Sequence, residues 1–124
     1  MLPMCLDLGV GCVPYSPQGK GRLTRPWGEQ TQRSSVDVVA KSFDTDADQP
    51  VVDAVQKVAE ARGISMSAIA LAWVLSKPVV AAPIVGATKP HHLAGAVEAL
   101  DVTLTDDEIR SLEEPYTPQE PYWW

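Results

Sequence analysis

From about Gln49 the apolar positions Val51, Val52, Val55, Val58 and Ala59 recur at spacings of three and four, the period of a helix that buries one face. Gly63 follows as its stop, because glycine takes at no steric cost the left-handed conformation that closes a helix. A second helix is predicted from Ser65, whose hydroxyl suits an N-cap. Ile69, Ala72, Trp73 and Leu75 form its apolar side, and Pro78 ends it. The third covers 90–100, with Pro90 in the first helical position and Leu93, Val97 and Leu100 on one face. A fourth begins at Thr105, which with Glu108 has the spacing of a capping box. Met1 to Leu8 reads as the tail of a helix stopped by Gly9.

Two short apolar runs, Val10 to Tyr15 and Val79 to Val85, have the composition of buried strands. Between the first run and the Gln49 helix lies a stretch from Ser16 to about Asp46 with no clear period. Loops of that length are either functional or disordered, and Gly28, Ser34 and Ser35 fit mobility.

Each run ends in chemistry. Pro83-Ile84-Val85-Gly86-Ala87-Thr88-Lys89-Pro90-His91-His92-Leu93 delivers a glycine turn, a cation and a helix N-terminus to one place, which builds an anion site. Any strand-to-helix connection shares part of that pattern, so the segment has a purely structural reading as well. Val13-Pro14-Tyr15-Ser16-Pro17-Gln18-Gly19-Lys20-Gly21-Arg22-Leu23 points the same way. Its small residues let backbone approach a ligand, Ser16 donates a hydroxyl, and Lys20 and Arg22 add charge. Tyr15 at the mouth of the run either stacks on a planar ring or packs as half-buried tyrosines do.

Charge sharpens the second segment. The chain carries a net −6, which argues against nucleic acid as a main partner. Yet Lys20, Arg22, Arg25, Arg33 and Lys41 fall in a window holding only Glu29 and Asp37 as acids. Arg33 and Lys41 read as a solvated basic loop; Lys20 and Arg22 read equally as solvated or as phosphate contacts. Cys5 and Cys12, with no ligand spacing to histidine, are expected to be buried apolar side chains in a reducing compartment, and the cytoplasm is the expected location. No stretch has the 18 or more apolar residues of a membrane span. Adjacent His91 and His92 point about 100 degrees apart on a helix and lack a third partner, so no metal is expected. Tyr116, Tyr122, Trp123 and Trp124 crowd the stretch 115–124, which packs on a neighbouring surface or is disordered.

The two ordered segments together resemble the last third of the aldo-keto reductases. Tyr15 to Leu23 is similar to that family's aromatic-Ser-Pro run after its seventh strand, and Pro83 to Leu93 to its Pro-Ile-x-Gly-Ala-Thr-Lys-x-x-His-Leu segment after the eighth. Ala70 to Leu75 and Leu104 to Ile109 share the likeness, which covers nearly the whole chain. The sequence departs from the family pattern at Gln18, Gly19 and Lys20, where a Leu, an Ala and a variable residue are usual, and at Gly95 and Ala96, where Glu and Asn often reach the adenine.

The resemblance implies an α/β fold, a partial (β/α)8 TIM barrel with about two parallel strands and four or five helices, over 1–124 as a single C-terminal fragment. It implies a loop over 16–46 that covers the cofactor and a tail over 115–124 near substrate. A complete barrel takes roughly 250 residues, so 124 residues hold about half. The implied activity is NADP-dependent reduction of a small aldehyde or ketone. Tyr15 would stack on nicotinamide, Ser16, Gln18, Lys20 and Arg22 would lie near the pyrophosphate, and Gly86, Thr88, Lys89 and His92 near the adenosine phosphate. His92 stands where relatives place an Arg against the 2′-phosphate; a solvent-exposed histidine is the other reading. The family's acid Tyr and its Lys, Asp and His supports come from the first half of the barrel. Tyr15, Tyr116 and Tyr122 do not occupy such positions, so no catalytic residue is expected here. Two other expectations stand beside this one: a non-catalytic half-barrel that binds cofactor or self-associates through open strand edges, and a non-functional truncated product.

Overall fold

The computed structural model describes residues 1–29 and 46–118. In chain order its helices are α1 (Leu2–Asp7), α2 (Gln49–Arg62), α3 (Met66–Leu75), α4 (Pro90–Glu98) and α5 (Asp106–Glu113), with 3₁₀ turns at Gly19–Thr24, Asp46–Asp48 and Ala99–Asp101. Helix α3 organises the rest. Ser67 is its one polar residue, and Met66, Ala68, Ile69, Ala70, Leu71, Ala72 and Val74 are all buried. A helix that is apolar nearly all round belongs in the interior, so the expected single apolar side through Ile69, Ala72, Trp73 and Leu75 is corrected to burial around most of the helix, with Ser67, Trp73 and Leu75 half-buried. The Ser65 hydroxyl caps it as expected, accepting from Ala68 N at 3.1 Å.

On one side α3 joins a core of Val52, Val55, Val58 and Ala59 from α2 with Leu104 and Leu112 at the C-terminal end. These are the α2 positions picked out by the period of three and four, save that Val51 is only half-buried. Gly63 closes α2 at φ +66. On the other side Ala68 and Leu71 pack with Ala99, and Val85 and Ala96 cover them. That second cluster corrects the expected face of α4. Leu93, Val97 and Leu100 are 60, 55 and 68% exposed, because the small side chains of Ala96 and Ala99 allow the close approach to α3. The helix also ends earlier than expected, at Glu98, and tightens into the 3₁₀ turn.

The two predicted strands are reduced to extended segments joined by isolated parallel bridges, Cys12 with Val80 and Tyr15 with Ile84. Cys12 N donates to Val79 O at 2.7 Å, Ala81 N to Cys12 O at 2.9 Å and Ile84 N to Pro14 O at 2.9 Å. A continuous ladder fails for two reasons. Pro14 and Pro83 have no N–H to donate, and the step from Cys12 to Tyr15 is one residue shorter than the step from Val80 to Ile84, so the second segment bulges. Among the described residues no single helix is long and apolar enough to cross a membrane.

Arg62 ties the end of α2 to the start of α5. Its Nε and Nη2 donate to the two Glu108 carboxylate oxygens, each at 2.5 Å, and Nη2 also donates to Thr103 O at 2.9 Å. Thr105 and Glu108 form the predicted capping box, both halves present.

Candidate functional site

Parallel pairing decides where the two chemical segments go. Both extended segments run in the same direction, so Ser16 after Tyr15 and Val85–Gly86 after Ile84 leave the second bridge side by side. In barrel folds that carboxyl edge is where loops gather around ligands. Residues 69 positions apart in sequence are thus brought to one end of the molecule by the Tyr15–Ile84 bridge.

The first loop is held in an unusual backbone. Ser16 and Lys20 adopt positive φ, +50 and +55, and Gly19 and Gly21 flank Lys20 at +56 and +90. A non-glycine residue there costs roughly 1–3 kcal/mol and persists only where its surroundings enforce it. Here the loop's own bonds do so. Gly19 N donates to Ser16 O at 3.0 Å, Gly21 N and Leu23 N to Gln18 O at 3.0 and 3.2 Å, and Thr24 Oγ1 to Gly21 O at 2.8 Å. The Gln18 amide nitrogen donates to Ser67 Oγ at the start of α3, fastening the loop to the core helix. Leu23 and Trp27 complete the attachment by packing on the main core. The expectation of an irregular loop from Ser16 is therefore corrected for its first part, since a 3₁₀ turn occupies Gly19–Thr24.

Within this loop the side chains divide. Tyr15 is 74% exposed, and Ser16 and Lys20 are exposed too. The Arg22 guanidinium lies 4.6 Å from the centroid of the Trp27 ring. Burial there pulls its pKa down, against the opposing pull of Asp48, with Arg25 adding a smaller lowering. Arg33, Lys41, Ser34 and Ser35 lie outside the described residues.

The second loop is open. Gly86, Thr88, Lys89 and His92 are all exposed, and a Cβ on Gly86 would meet nothing within 4 Å. Among the described residues Gly86 thus serves no close packing, and its backbone is approachable. Lys89 sits at the N-cap of α4 in an extended conformation, and no N-cap side chain accepts from the first-turn N–H groups. Thr88 Oγ1 and His92 Nδ1 are 3.5 Å apart, and the His91 and His92 rings meet edge to face at 4.5 Å. A cation, a hydroxyl, an imidazole and a helix N-terminus form a donor set suited to a phosphate. Among the described residues no group of three or more His, Cys, Asp or Glu converges as a metal site would. Tyr116 is 64% exposed; Tyr122, Trp123 and Trp124 lie outside the described residues.

Three contributors carry no local signal in the sequence. Ser67 meets Gln18 across 49 residues, Trp27 forms the platform under Arg22, and Asp48 acts on Arg22 from 26 positions further along the sequence. Only the spacing of Leu23 and Trp27, four residues apart on an otherwise polar stretch, hinted at a packed element.

The aldo/keto reductase family profile matches residues 1–116, and the chain belongs to that family. It is 40% identical over 124 residues to versiconal hemiacetal acetate reductase of Aspergillus parasiticus, a match over 96% of this chain and 36% of that protein. It is 32% identical over 118 residues to norsolorinic acid reductase B of the same species, over 94% of this chain and 31% of that protein. The chain thus spans about a third of the curated relatives it matches. Among solved structures, the glycerol dehydrogenase AKR11B4 of Gluconobacter oxydans superposes with a TM-score of 0.71 at 24% identity, over 100% of this chain and 41% of that one. The thermostable aldo-keto reductase Tm1743 does so with a TM-score of 0.64 at 23% identity, over 93% and 33%. These likenesses show the fold, that of the barrel neighbours. The bridged segments stand where this chain was expected to form strands.

Proposed function

We propose that this chain is the cofactor-binding part of an NADP-dependent oxidoreductase that reduces an aldehyde or ketone. The observation that carries the reading is the Tyr15–Ile84 bridge, which sets both candidate phosphate loops at one edge. Lys89, Thr88, His92 and the N-terminus of α4 would hold the adenosine phosphates, with Gly86 leaving room for the backbone to approach. Ser16, Lys20 and the backbone N–H groups of the left-handed turn would hold the pyrophosphate. Arg22 would act from its place over Trp27, and Gln18 by fixing the turn to Ser67. Tyr15, exposed at the mouth, would lie against the nicotinamide face. A reduced nicotinamide bound there supplies hydride. The proton for the carbonyl oxygen would come from a part of the barrel that this chain does not include, and no residue here is assigned that role. Reducing surroundings in the cytoplasm suit such an enzyme.

Titrating the chain with NADPH while following tryptophan emission tests the reading. Saturable quenching is expected, with Lys89→Ala weakening NADPH by about tenfold and NADH by much less, since an anion at a helix terminus with one cation is worth about 1–2 kcal/mol. No saturation, or equal losses for the two nucleotides, would contradict it. A second reading, a half-barrel that self-associates, is favoured by the exposure of Val13, Ile84, Leu93, Val97 and Leu100, each more than half exposed. Sedimentation showing a monomer at every concentration would remove it.

A further inference from the structure

Trp27 is held in place by its own turn and by the core. Glu29 N donates to Pro26 O at 3.3 Å, and Gly28 between them takes φ +84, so residues 26–29 form a turn that needs a left-handed residue in its third position. Arg25 Nε donates to Glu29 O at 3.0 Å and braces that turn. Trp27 then packs on the main core together with Leu23. Arg22 directly precedes Leu23, so its side chain also starts from an anchored point, and its guanidinium carbon lies 4.6 Å from the centroid of the Trp27 ring. Arg22 is half-buried, whereas Lys20, the loop's other candidate phosphate contact, is exposed. A cation partly withdrawn from water is drawn to a ring face more strongly than an exposed one.

Building on the nucleotide-binding reading, we propose that Trp27 is the positioning residue of the pyrophosphate subsite, fixing the Arg22 guanidinium so that two of its N–H groups meet the diphosphate together. A long arginine side chain gives up rotamer freedom when it clamps an anion, and one already lodged against a ring has given it up beforehand. Attraction to the ring acts through the face of the guanidinium, while its hydrogen bonds leave in the plane, so the two do not compete. The planar fork matches two oxygens at once, which is what a diphosphate offers. NADPH and NADH share the pyrophosphate, so Trp27 strengthens both alike, in contrast to the role given to Lys89.

The test is calorimetric titration of the full chain with NADPH, NADH and inorganic pyrophosphate. Trp27→Leu keeps an apolar side chain on the core but no ring, and should weaken both nucleotides by the same factor, about tenfold. Trp27→Phe restores a ring and should bring both back to within about threefold of wild type. In an Arg22→Ala background Trp27→Leu should cost nothing further. Should Trp27→Leu fail to fold, Gly28→Ala puts the question with the core side chains unchanged. It strains the turn at φ +84, and should weaken both nucleotides by about fivefold with Arg22 present and not at all with Arg22→Ala. Unchanged affinity in Trp27→Leu, a loss that Phe does not repair, or a loss of the same size without Arg22 would overturn the role of Trp27 and leave the nucleotide reading standing. If wild type binds neither nucleotide, that reading falls instead, and pyrophosphate decides for Trp27: binding that Trp27→Leu weakens by about tenfold upholds the subsite, and no binding, or binding indifferent to Trp27, removes it.

Discussion

Replacing Arg62 with Ala removes the ion pair between α2 and α5 and leaves Glu108 and Thr103 O without their guanidinium partner. The side chains of Arg62 and Glu108 are 28 and 23% exposed. Arg62 bonding first, then the Thr105 backbone N–H, hold the Glu108 carboxyl down from 4.5 to about 2. Taken without screening, such a shift is worth about 3 kcal/mol; solvent around a pair this exposed reduces it to about 1–2 kcal/mol. The folded pKa lies below the unfolded one, so the contribution is fully present above 4.5 and is lost as pH falls through about 2. Urea unfolding followed by tryptophan emission gives the numbers for wild type, Arg62→Ala, Glu108→Gln and the double variant. Arg62→Ala should destabilise by about 1–2 kcal/mol at about pH 7 and by under half of that at about pH 2. Glu108→Gln keeps an acceptor for the Thr105 cap and isolates the charge. The double-variant cycle should therefore return a coupling of about 1 kcal/mol at about pH 7 and near zero in acid. A coupling that is the same at both pH values, or absent at neutral pH, would refute the argument.

The remaining predictions concern the core helix and its loop. Ile69 is 0% exposed at the centre of α3, so Ile69→Ala should cost about 2–5 kcal/mol in the same urea assay; a cost below about 1 kcal/mol would show that α3 is not the core. Gln18→Ala removes the bond to Ser67 Oγ but no core packing. It should speed amide exchange at Gly21 and Leu23 by about fivefold while lowering global stability by no more than about 1 kcal/mol. Unchanged exchange at both amides would mean that the turn holds itself.

The parts that were legible in the sequence were those with a local cause. Gly63 and Gly9 stop helices because only a left-handed residue fits there, and Ser65 and Thr105 cap them because their hydroxyls reach the next turn. The face of α4 was misread because the period of Leu93, Val97 and Leu100 marks an apolar stripe without saying what lies against it. Ala96 and Ala99, too small to dominate any pattern, make the contact with α3. Burial of most of α3 was readable in its composition, yet weighting by bulk picked out Trp73 and Leu75, which are only half-buried. The bridged segments read as strands because hydropathy cannot see the missing N–H groups of Pro14 and Pro83. In the site, the loops themselves were legible from their glycines and cations, but the Gln18–Ser67 fastening joins residues 49 apart and left no trace in either neighbourhood.

The central claim is that the Ser16–Thr24 loop and the Gly86–Lys89 loop make one nucleotide site. Amide hydrogen exchange of the chain with and without saturating NADPH tests it residue by residue. Protection is predicted to rise together at Lys20, Gly21 and Leu23 and at Gly86, Thr88 and Lys89. Protection of one loop alone, or of neither, would contradict the account.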